Sequence, residues 1–397
     1  MLNYYLNSYK GLSKDIWLLS LVMFINRSGA MVLPFLSIYL NQHIGLSLTQ
    51  CGIIMSCYGL GSVAGAFIGG VLTDEIGYYK VMLGSLFATS LSFLVVMNLQ
   101  GFTSLCLGFF MITFIADLFR PANITAIEAF SKPENLTRSI GLIRLAINLG
   151  YAFGPFLGGY IASFMGYNFL FVFNALSVFS AGVVFYYFFR NKKKRVEVSE
   201  EEDEHEIKKL PWQDVPYLSF LLFWVFVIIV FFILIYIVPL YYKKELGFDE
   251  SIVGLLMGLN GLIIFLVEMP LIYFLEKYLK AIHLVVLGSV LIGLGILCFA
   301  VFGNPWVASL TFIVFVTFGE ILSFPFSNTY ALSFANERNR GKYMGIYTMT
   351  FSVAHVIAPL SWMKYAESYG FHMLWIVSAG LCLFAAMMIY LTRYGKA

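Results

Sequence analysis

Charge is what this chain has least of. Asp, Glu, Lys and Arg make up 12% of its 397 residues and apolar residues 60%. A soluble domain carries about 25% charged residues, so this composition excludes a water-soluble fold of this size. Cysteine is scarce as well. Cys51, Cys57, Cys106, Cys298 and Cys382 show no paired spacing and fall in or beside apolar stretches, so free buried thiols are expected rather than a disulfide framework. The five histidines are scattered and form no metal-ligand cluster. No G-x4-G-K-[ST] phosphate loop occurs, which excludes an ATPase within the chain. No Ser-His-Asp or metal-hydrolase arrangement stands out, and neither an enzyme nor a bound cofactor is expected. The pI near 8.4 comes from positive loops and gives no reason to invoke nucleic acid. The polar N-terminal stretch lacks a small-residue cleavage site, so no removable signal peptide is expected.

What the chain has is apolar length. Twelve stretches of roughly twenty residues, each long enough to cross a bilayer as a helix, lie at about 16–40, 51–73, 80–99, 102–130, 140–163, 168–189, 215–241, 251–275, 282–302, 306–332, 342–364 and 372–392. The turns between them are short except at 190–214, which is too charged to fold alone. The reading is an all-α membrane protein of twelve transmembrane helices in two pseudo-symmetric six-helix bundles, 1–189 and 215–397, joined by a cytoplasmic charged linker at 190–214. That linker is a solvated tether or a partner site.

Loop charge sets the direction. With the N-terminus in the cytoplasm, Lys10, Lys14, Lys80, Lys132, Arg138, the linker's bases, Lys277, Lys280, Arg338, Arg340, Lys342, Arg393 and Lys396 share that side, against Lys243, Lys244 and Lys364 on the other. Both termini and the linker are then cytoplasmic.

The halves also resemble each other. At a constant shift of 204 residues, Leu83-Gly84-Ser85 falls on Leu287-Gly288-Ser289, Pro121 on Pro325, Gly141 on Gly345 and Pro155 on Pro359. A duplicated six-helix unit accounts for several matches at one shift. Gly61, Gly65 and Gly69 on span 2, and Gly150, Gly154 and Gly158 on span 5, recur every four residues. That spacing lines glycine along one helix face, where another backbone approaches closely.

Five charges stand inside spans: Arg27, Asp117, Arg120, Glu268 and Glu320. A charge there is costly and marks a functional site by default. Arg27 is roughly 16 Å into span 1 at 1.5 Å per residue. Asp117 and Arg120, three apart, share a face of span 4. Spans 7–12 hold no Lys or Arg at the depth of Glu268 and Glu320. A carboxylate at such depth either carries a proton in and out or stays protonated against a neighbouring helix. Glu320, Glu268 and Asp117 are therefore the proton-coupling candidates. His355 on span 11 is a packing histidine or a member of a relay. Arg27, Arg120, Asn26, His355, Tyr236, Phe265 and Tyr330 are candidates to line a substrate cavity, with Phe324 and Tyr347 beside them.

Gly70-Val71-Leu72-Thr73-Asp74-Glu75-Ile76-Gly77-Tyr78-Tyr79-Lys80 resembles the loop signature G-x-L-a-D-r-x-G-r-k of the major facilitator superfamily, keeping Gly70, Leu72, Asp74 and Gly77. Gly150-x3-Gly154-Pro155-x2-Gly158-Gly159 resembles the span 5 signature of that superfamily's twelve-helix drug:proton antiporter branch. Arg120 stands where the branch commonly carries an Arg, and Pro34 in Val32-Leu33-Pro34-Phe35 resembles its span 1 signature. The resemblance implies a central cavity surrounded by helices 1, 2, 4, 5, 7, 8, 10 and 11. The deep charges do fall on spans 1, 4, 8 and 10, and spans 3, 6, 9 and 12 carry none in their middles. It also implies a cytoplasmic charge network around Asp74. Glu75 replaces the usual base there, so Arg144 is expected to bridge Asp74 and Glu128 when that side is closed.

The resulting expectation is a monomeric, proton-coupled secondary transporter of the bacterial inner membrane. It would export amphipathic drug-like compounds by alternating access, with the proton gradient as energy source. Its partners would be a small-molecule substrate, protons and the lipid bilayer. A transporter of one defined substrate, such as a lysolipid, sugar or metabolite, is the alternative; a scaffold or receptor is a third reading.

Overall fold

The structure, a computed structural model, describes residues 11–132, 135–192, 210–336 and 339–392. Most of the 190–214 linker, and Lys10, Arg338, Arg393 and Lys396, lie outside them. The described residues are helical, with short connections and no strand. Among the described residues, eleven helices are long and apolar enough to cross a membrane. We label them α1 (Lys14–His43), α2 (Leu48–Ile76), α3 (Tyr78–Val96), α4 (Phe102–Phe130), α5 (Leu136–Met165), α6 (Tyr167–Phe189), α7 (Val215–Lys244), α8 (Glu250–Leu275), α9 (Ala281–Val301) and α10 (Pro305–Leu332). The eleventh, Arg340–Thr392, is two spans, because Gly370 inside it has φ 79° and ψ 165°. Residues 340–369 are α11 and 371–392 are α12, which gives twelve crossings among the described residues.

Gly166, between α5 and α6, has φ 95° and ψ 166°. It stands 204 residues before Gly370. The duplication therefore extends to a backbone conformation that L side chains rarely adopt. It is imperfect in packing. Gly288 lies against the Gly319 carbonyl of α10, where a Cβ would come to 2.5 Å, whereas its counterpart Gly84 faces open space.

Because lipid is as apolar as leucine, close backbone approach rather than hydrophobicity holds such helices together. Large apolar side chains accordingly stay exposed, as at Phe67, Leu91 and Phe164. The glycine run of α2 shows the packing. Cβ atoms at Gly61, Gly65 and Gly69 would collide with the carbonyls of Phe110, Phe114 and Leu118, one turn apart on α4.

Two compact units result. One holds the described residues of Met1–Tyr39, Cys57–Glu200 and Asp249–Leu262; the other holds those of Leu40–Ser56, Glu201–Phe248 and Ile263–Ala397. Each includes one helix end from the other half of the sequence. The first unit has a core of Ile16, Leu19, Met82, Ala122, Ala126 and Phe185, contributed by α1, α3, α4 and α6. The five cysteines are free, with Cys57 and Cys106 half-buried rather than buried.

Candidate substrate and proton site

In the first unit, two spans are interrupted where their charges stand. α1 is helical over Lys14–Ser28 and Val32–Ile38 and ends in a π-helical turn, Tyr39–His43. Pro34 has no N–H for the carbonyl of Ala30 and its ring crowds that carbonyl, so the helix parts at residues 29–31. Asn174 of α6 covers the opening: its Oδ1 accepts from Met31 N at 3.3 Å. Ser177 donates to the Ile25 carbonyl at 2.5 Å. The α5 glycines seat the same segment. A Cβ at Gly150 would lie 2.6 Å from Arg27 Cβ, one at Gly154 3.2 Å from the Ala30 carbonyl, and one at Gly158 3.1 Å from Met31 Cβ. α4 is interrupted at Leu118, between segments ending at Asp117 and starting at Phe119. Pro121 stands four residues past Asp117 and acts in the same way.

These breaks aim polar groups at one another. Arg120 Nη2 donates to Asp117 Oδ2 at 3.2 Å, with the Arg side chain 55% exposed and the Asp 13%. Ser62 of α2 donates to the same oxygen. The Arg27 guanidinium lies over the Tyr151 ring, 5.5 Å from its centroid, and its Nε is buried with no hydrogen-bond partner. Arg27 interacts electrostatically with Asp117, Tyr58 and Tyr151, and Tyr58 also with Arg120. Four spans, α1, α2, α4 and α5, thus bring Arg27, Asp117 and Arg120 into one cluster with Tyr58, Ser62 and Tyr151. Asn26, beside Arg27, is half-buried.

In the second unit, α7 is also interrupted, at Phe232 and Ile237, with Tyr236 in the short segment between. The Tyr236 hydroxyl and His355 Nδ1 are 2.6 Å apart, and Phe232 packs its ring 4.0 Å from that of His355. Ser327 and Tyr347 share a hydrogen bond of 2.7 Å. Phe324 packs between Phe231, 4.6 Å away, and Trp224 at 5.4 Å. Tyr236 and Tyr330 are buried, at 1% and 7% exposure, and Phe265 is half-buried. Glu268 is buried at 6% exposure, two residues before Pro270 within α8. Glu320 is half-buried on α10, next to the Gly319 that packs on α9.

The gate candidates of the sequence lie at the ends of α2, α4 and α5. Asp74, Glu128 and Arg144 are exposed, and neither carboxylate is in an ion pair among the described residues. Gly70 and Gly77 face open space, and Gly77 has φ 84° at the turn from α2 to α3. Gly159 and Pro155 turn away from α1 towards α8. A Cβ at Gly159 would lie 2.9 Å from Gly254 Cα, and the Pro155 carbonyl abuts Gly254.

Carboxylates clasp helix ends in both units. The Tyr167 hydroxyl donates to Glu250 Oε1 at 2.5 Å. Glu367 Oε2 accepts from Thr49 N at 2.8 Å and from the Thr49 hydroxyl. These carboxylates, with Tyr58, Ser62 and Tyr151, are absent from the sequence-based candidates. One signal was present: Asp117, Tyr151 and His355 each stand four residues before a proline (Pro121, Pro155, Pro359), where a helix leaves its carbonyl without an N–H.

The sequence profile of the Major Facilitator Superfamily matches residues 16–359 and 284–396. An uncharacterized MFS-type transporter, YttB of Bacillus subtilis (strain 168), is 25% identical over 88% of this chain and 87% of its own length. A Na(+), Li(+), K(+)/H(+) antiporter of Planococcus maritimus is 23% identical over 85% and 86%. The quinolone resistance protein NorA of Staphylococcus aureus (strain COL) is 22% identical over 88% and 89%. Among solved structures, a POT family transporter in complex with 5-aminolevulinic acid superposes with a TM-score of 0.79 at 16% identity, covering 96% of each chain. The nucleoside transporter NupG gives 0.77 at 13% identity, over 96% of this chain and 99% of its own. At these identities the structures speak for the fold alone.

Proposed function

The chain belongs to the Major Facilitator Superfamily, a family of multi-pass membrane transporters rather than enzymes, and from that premise we propose that it is a proton-coupled exporter of amphipathic, drug-like compounds working by alternating access. One observation carries the reading. Asp117, a carboxylate inside a membrane span, stands at a helix break with Arg120 and Ser62 on one oxygen. Interrupted helices are where such transporters place their binding groups, because backbone left out of the helix is tolerated only where it lines protein or a cavity. An acid in that setting can exchange a proton as its partners change. Glu320 and the buried Glu268 serve the second half in the same way. NorA's role in quinolone resistance and the Planococcus protein's role as an antiporter support export by exchange.

The protein works as a monomer in a bacterial inner membrane, with residues 1–189 and 215–397 as its two moving halves and both termini in the cytoplasm. Transport of a single defined substrate is the second reading, favoured by the two arginines of the cluster.

The test is substrate-induced proton flux in proteoliposomes under an imposed pH gradient, with Na+ and K+ gradients as parallel arms. Proton movement that stops in Asp117→Asn and Glu320→Gln, with both variants inserted, is expected. Transport that runs undiminished without a pH gradient, or that follows Na+ or K+ instead, overturns proton coupling.

A further inference from the structure

The membrane-embedded cluster of the first unit does not balance its own charge. It holds two guanidinium groups, Arg27 and Arg120, and one carboxylate, Asp117. Arginine stays charged under all ordinary conditions, so neither base can become neutral to relieve the excess. The acid is already engaged: Asp117 Oδ2 takes the Arg120 guanidinium at 3.2 Å and the Ser62 hydroxyl. Arg27 is left with the face of Tyr151 at 5.5 Å and the field of Asp117, and its buried Nε has no hydrogen-bond partner. A cation over an aromatic ring recovers only part of the cost of leaving water. A buried guanidinium donor without an acceptor still costs more than a neutral one would.

We propose that the substrate supplies the missing anion: the site takes amphipathic molecules bearing a carboxylate, sulfonate or phosphate, whose oxygens bind the Arg27 guanidinium while the apolar body lies against Tyr58 and Tyr151. The inference rests on the transporter reading and adds the charge of what is carried. Arg27 is placed for this by the fold. It is the last full turn of the α1 segment that ends at Ser28, and Gly150 lets α5 approach its Cβ. A planar fork favours oxyanions, which it can bind through two parallel hydrogen bonds. Arg120, 55% exposed at its side chain, is the second base such an anion meets, and Asp117 is its competitor there.

The experiment uses two probes with the same ring and fixed charges, tritiated 2-naphthalenesulfonate and 2-naphthyltrimethylammonium, in proteoliposomes of the full chain with and without a pH gradient. Wild type is expected to accumulate the sulfonate. Arg27→Gln removes one positive charge and is expected to lower sulfonate transport at least tenfold while leaving or improving transport of the ammonium. Arg27→Lys keeps the charge but not the fork and is expected to fall between. Should Arg27→Gln fail to insert, Arg120→Gln removes the same charge and is expected to shift preference in the same direction. Proton-coupled transport of the ammonium with exclusion of the sulfonate overturns the anion assignment and leaves proton-coupled export standing. Sulfonate transport indifferent to the pH gradient but lost in Arg27→Gln does the reverse. If neither probe moves, both readings fall.

Discussion

The carbonyl oxygen of Pro359 on α11 lies against Gly52 on α2, 2.9 Å from where a Cβ would stand. In the other unit the carbonyl of Pro155 on α5 lies against Gly254 on α8. The two prolines are 204 residues apart, the shift that relates the two halves of the sequence. Each contact joins a helix of one sequence half to a helix of the other, with the carbonyl of a proline turned onto a glycine. The duplication has therefore preserved a crossing and not merely a residue type. Such close approach is what small residues permit between helices in lipid.

Filling either glycine should break its crossing. Gly52→Val and Gly254→Val each force a side chain into backbone, a cost of about 1–3 kcal/mol for overpacking, enough to shift a conformational equilibrium several-fold to a hundredfold. Transport is expected to fall by at least tenfold in both. A cysteine at the buried Ser56, which donates to the Val356 carbonyl at 2.6 Å, should become more reactive to thiol reagents in Gly52→Val, in a cysteine-free background. Gly84→Ala and Gly141→Ala, which meet open space, should leave both readouts unchanged. Equal labelling of position 56 with and without Gly52→Val would remove the crossing from the transport cycle.

The clasps beside these crossings should be separable from them. Glu367 takes two hydrogen bonds from Thr49 and borders a cavity of about 650 Å³ with Lys244, Glu245 and His372. Hydrogen bonds to charged groups contribute about 1.5–3 kcal/mol when sheltered, and exposure of Glu367 reduces that towards the 1 kcal/mol of surface pairs. In a double-mutant cycle on thermal stability, Thr49→Val and Glu367→Gln are expected to couple by about 1 kcal/mol, and Tyr167→Phe with Glu250→Gln by somewhat more. Additive effects in both cycles would mean that the clasps contribute nothing.

Asn174→Ala tests the break in α1. Its amide oxygen accepts from Met31 N at 3.3 Å and from Val32 N, the first of the Val32–Ile38 segment, at 3.5 Å, and no water is at hand inside a membrane to replace it. A loss of about 1–2 kcal/mol is expected, read as a lower melting temperature, together with reduced transport, because the break directly follows the Lys14–Ser28 segment that carries Arg27. Unchanged stability would show that the break satisfies itself locally.

How much of this was legible follows from what repeats in a sequence. Spans, charges and the 204-residue shift are long-range or high-contrast signals, and the twelve crossings and the Asp117–Arg120 pair came directly from them. Pro34 was readable as a family resemblance but not as the cause of a break at residues 29–31. That consequence needs the i−4 carbonyl rule applied to a helix that also contains glycine. Tyr58 and Ser62 were invisible, because nothing in a single sequence with 25 tyrosines says which hydroxyls face a charge on another helix; Tyr151 was marked only by Pro155, four residues on. The span 5 glycines were readable as a packing face. That one face seats α1 through Gly150, Gly154 and Gly158, while Gly159 meets α8, depends on the rotation of a helix, which spacing alone leaves open.

Orientation is tested at two loops. The proposed topology, argued from loop charge, has the linker and both termini in the cytoplasm. In a cysteine-free background, a cysteine at Asp249, which is exposed before α8, should react with an impermeant reagent on intact cells, and one at Ser199 should not. Reaction at position 199 from outside would reverse the topology.

The proposed topology puts the ends of α2 and α4 and the start of α5 on the cytoplasmic side. Asp74, Glu128 and Arg144 are all exposed, and no ion pair holds either acid among the described residues. Glu75 stands beside Asp74 where the superfamily's loop signature usually has a base, so the acids need a cation from elsewhere when this side closes. We propose that Arg144, on the first turns of α5, is that cation, since a guanidinium fork can hold two carboxylates at once. Closing the cytoplasmic side would then bring the three together. Asp74→Asn and Arg144→Gln should each slow transport several-fold, and the double variant should be no slower than either single, because each removes the same interaction. A cysteine pair at positions 74 and 144 should crosslink more readily under conditions that close the cytoplasmic side. Additive losses, or crosslinking that never exceeds background, would show that Arg144 meets lipid head groups instead.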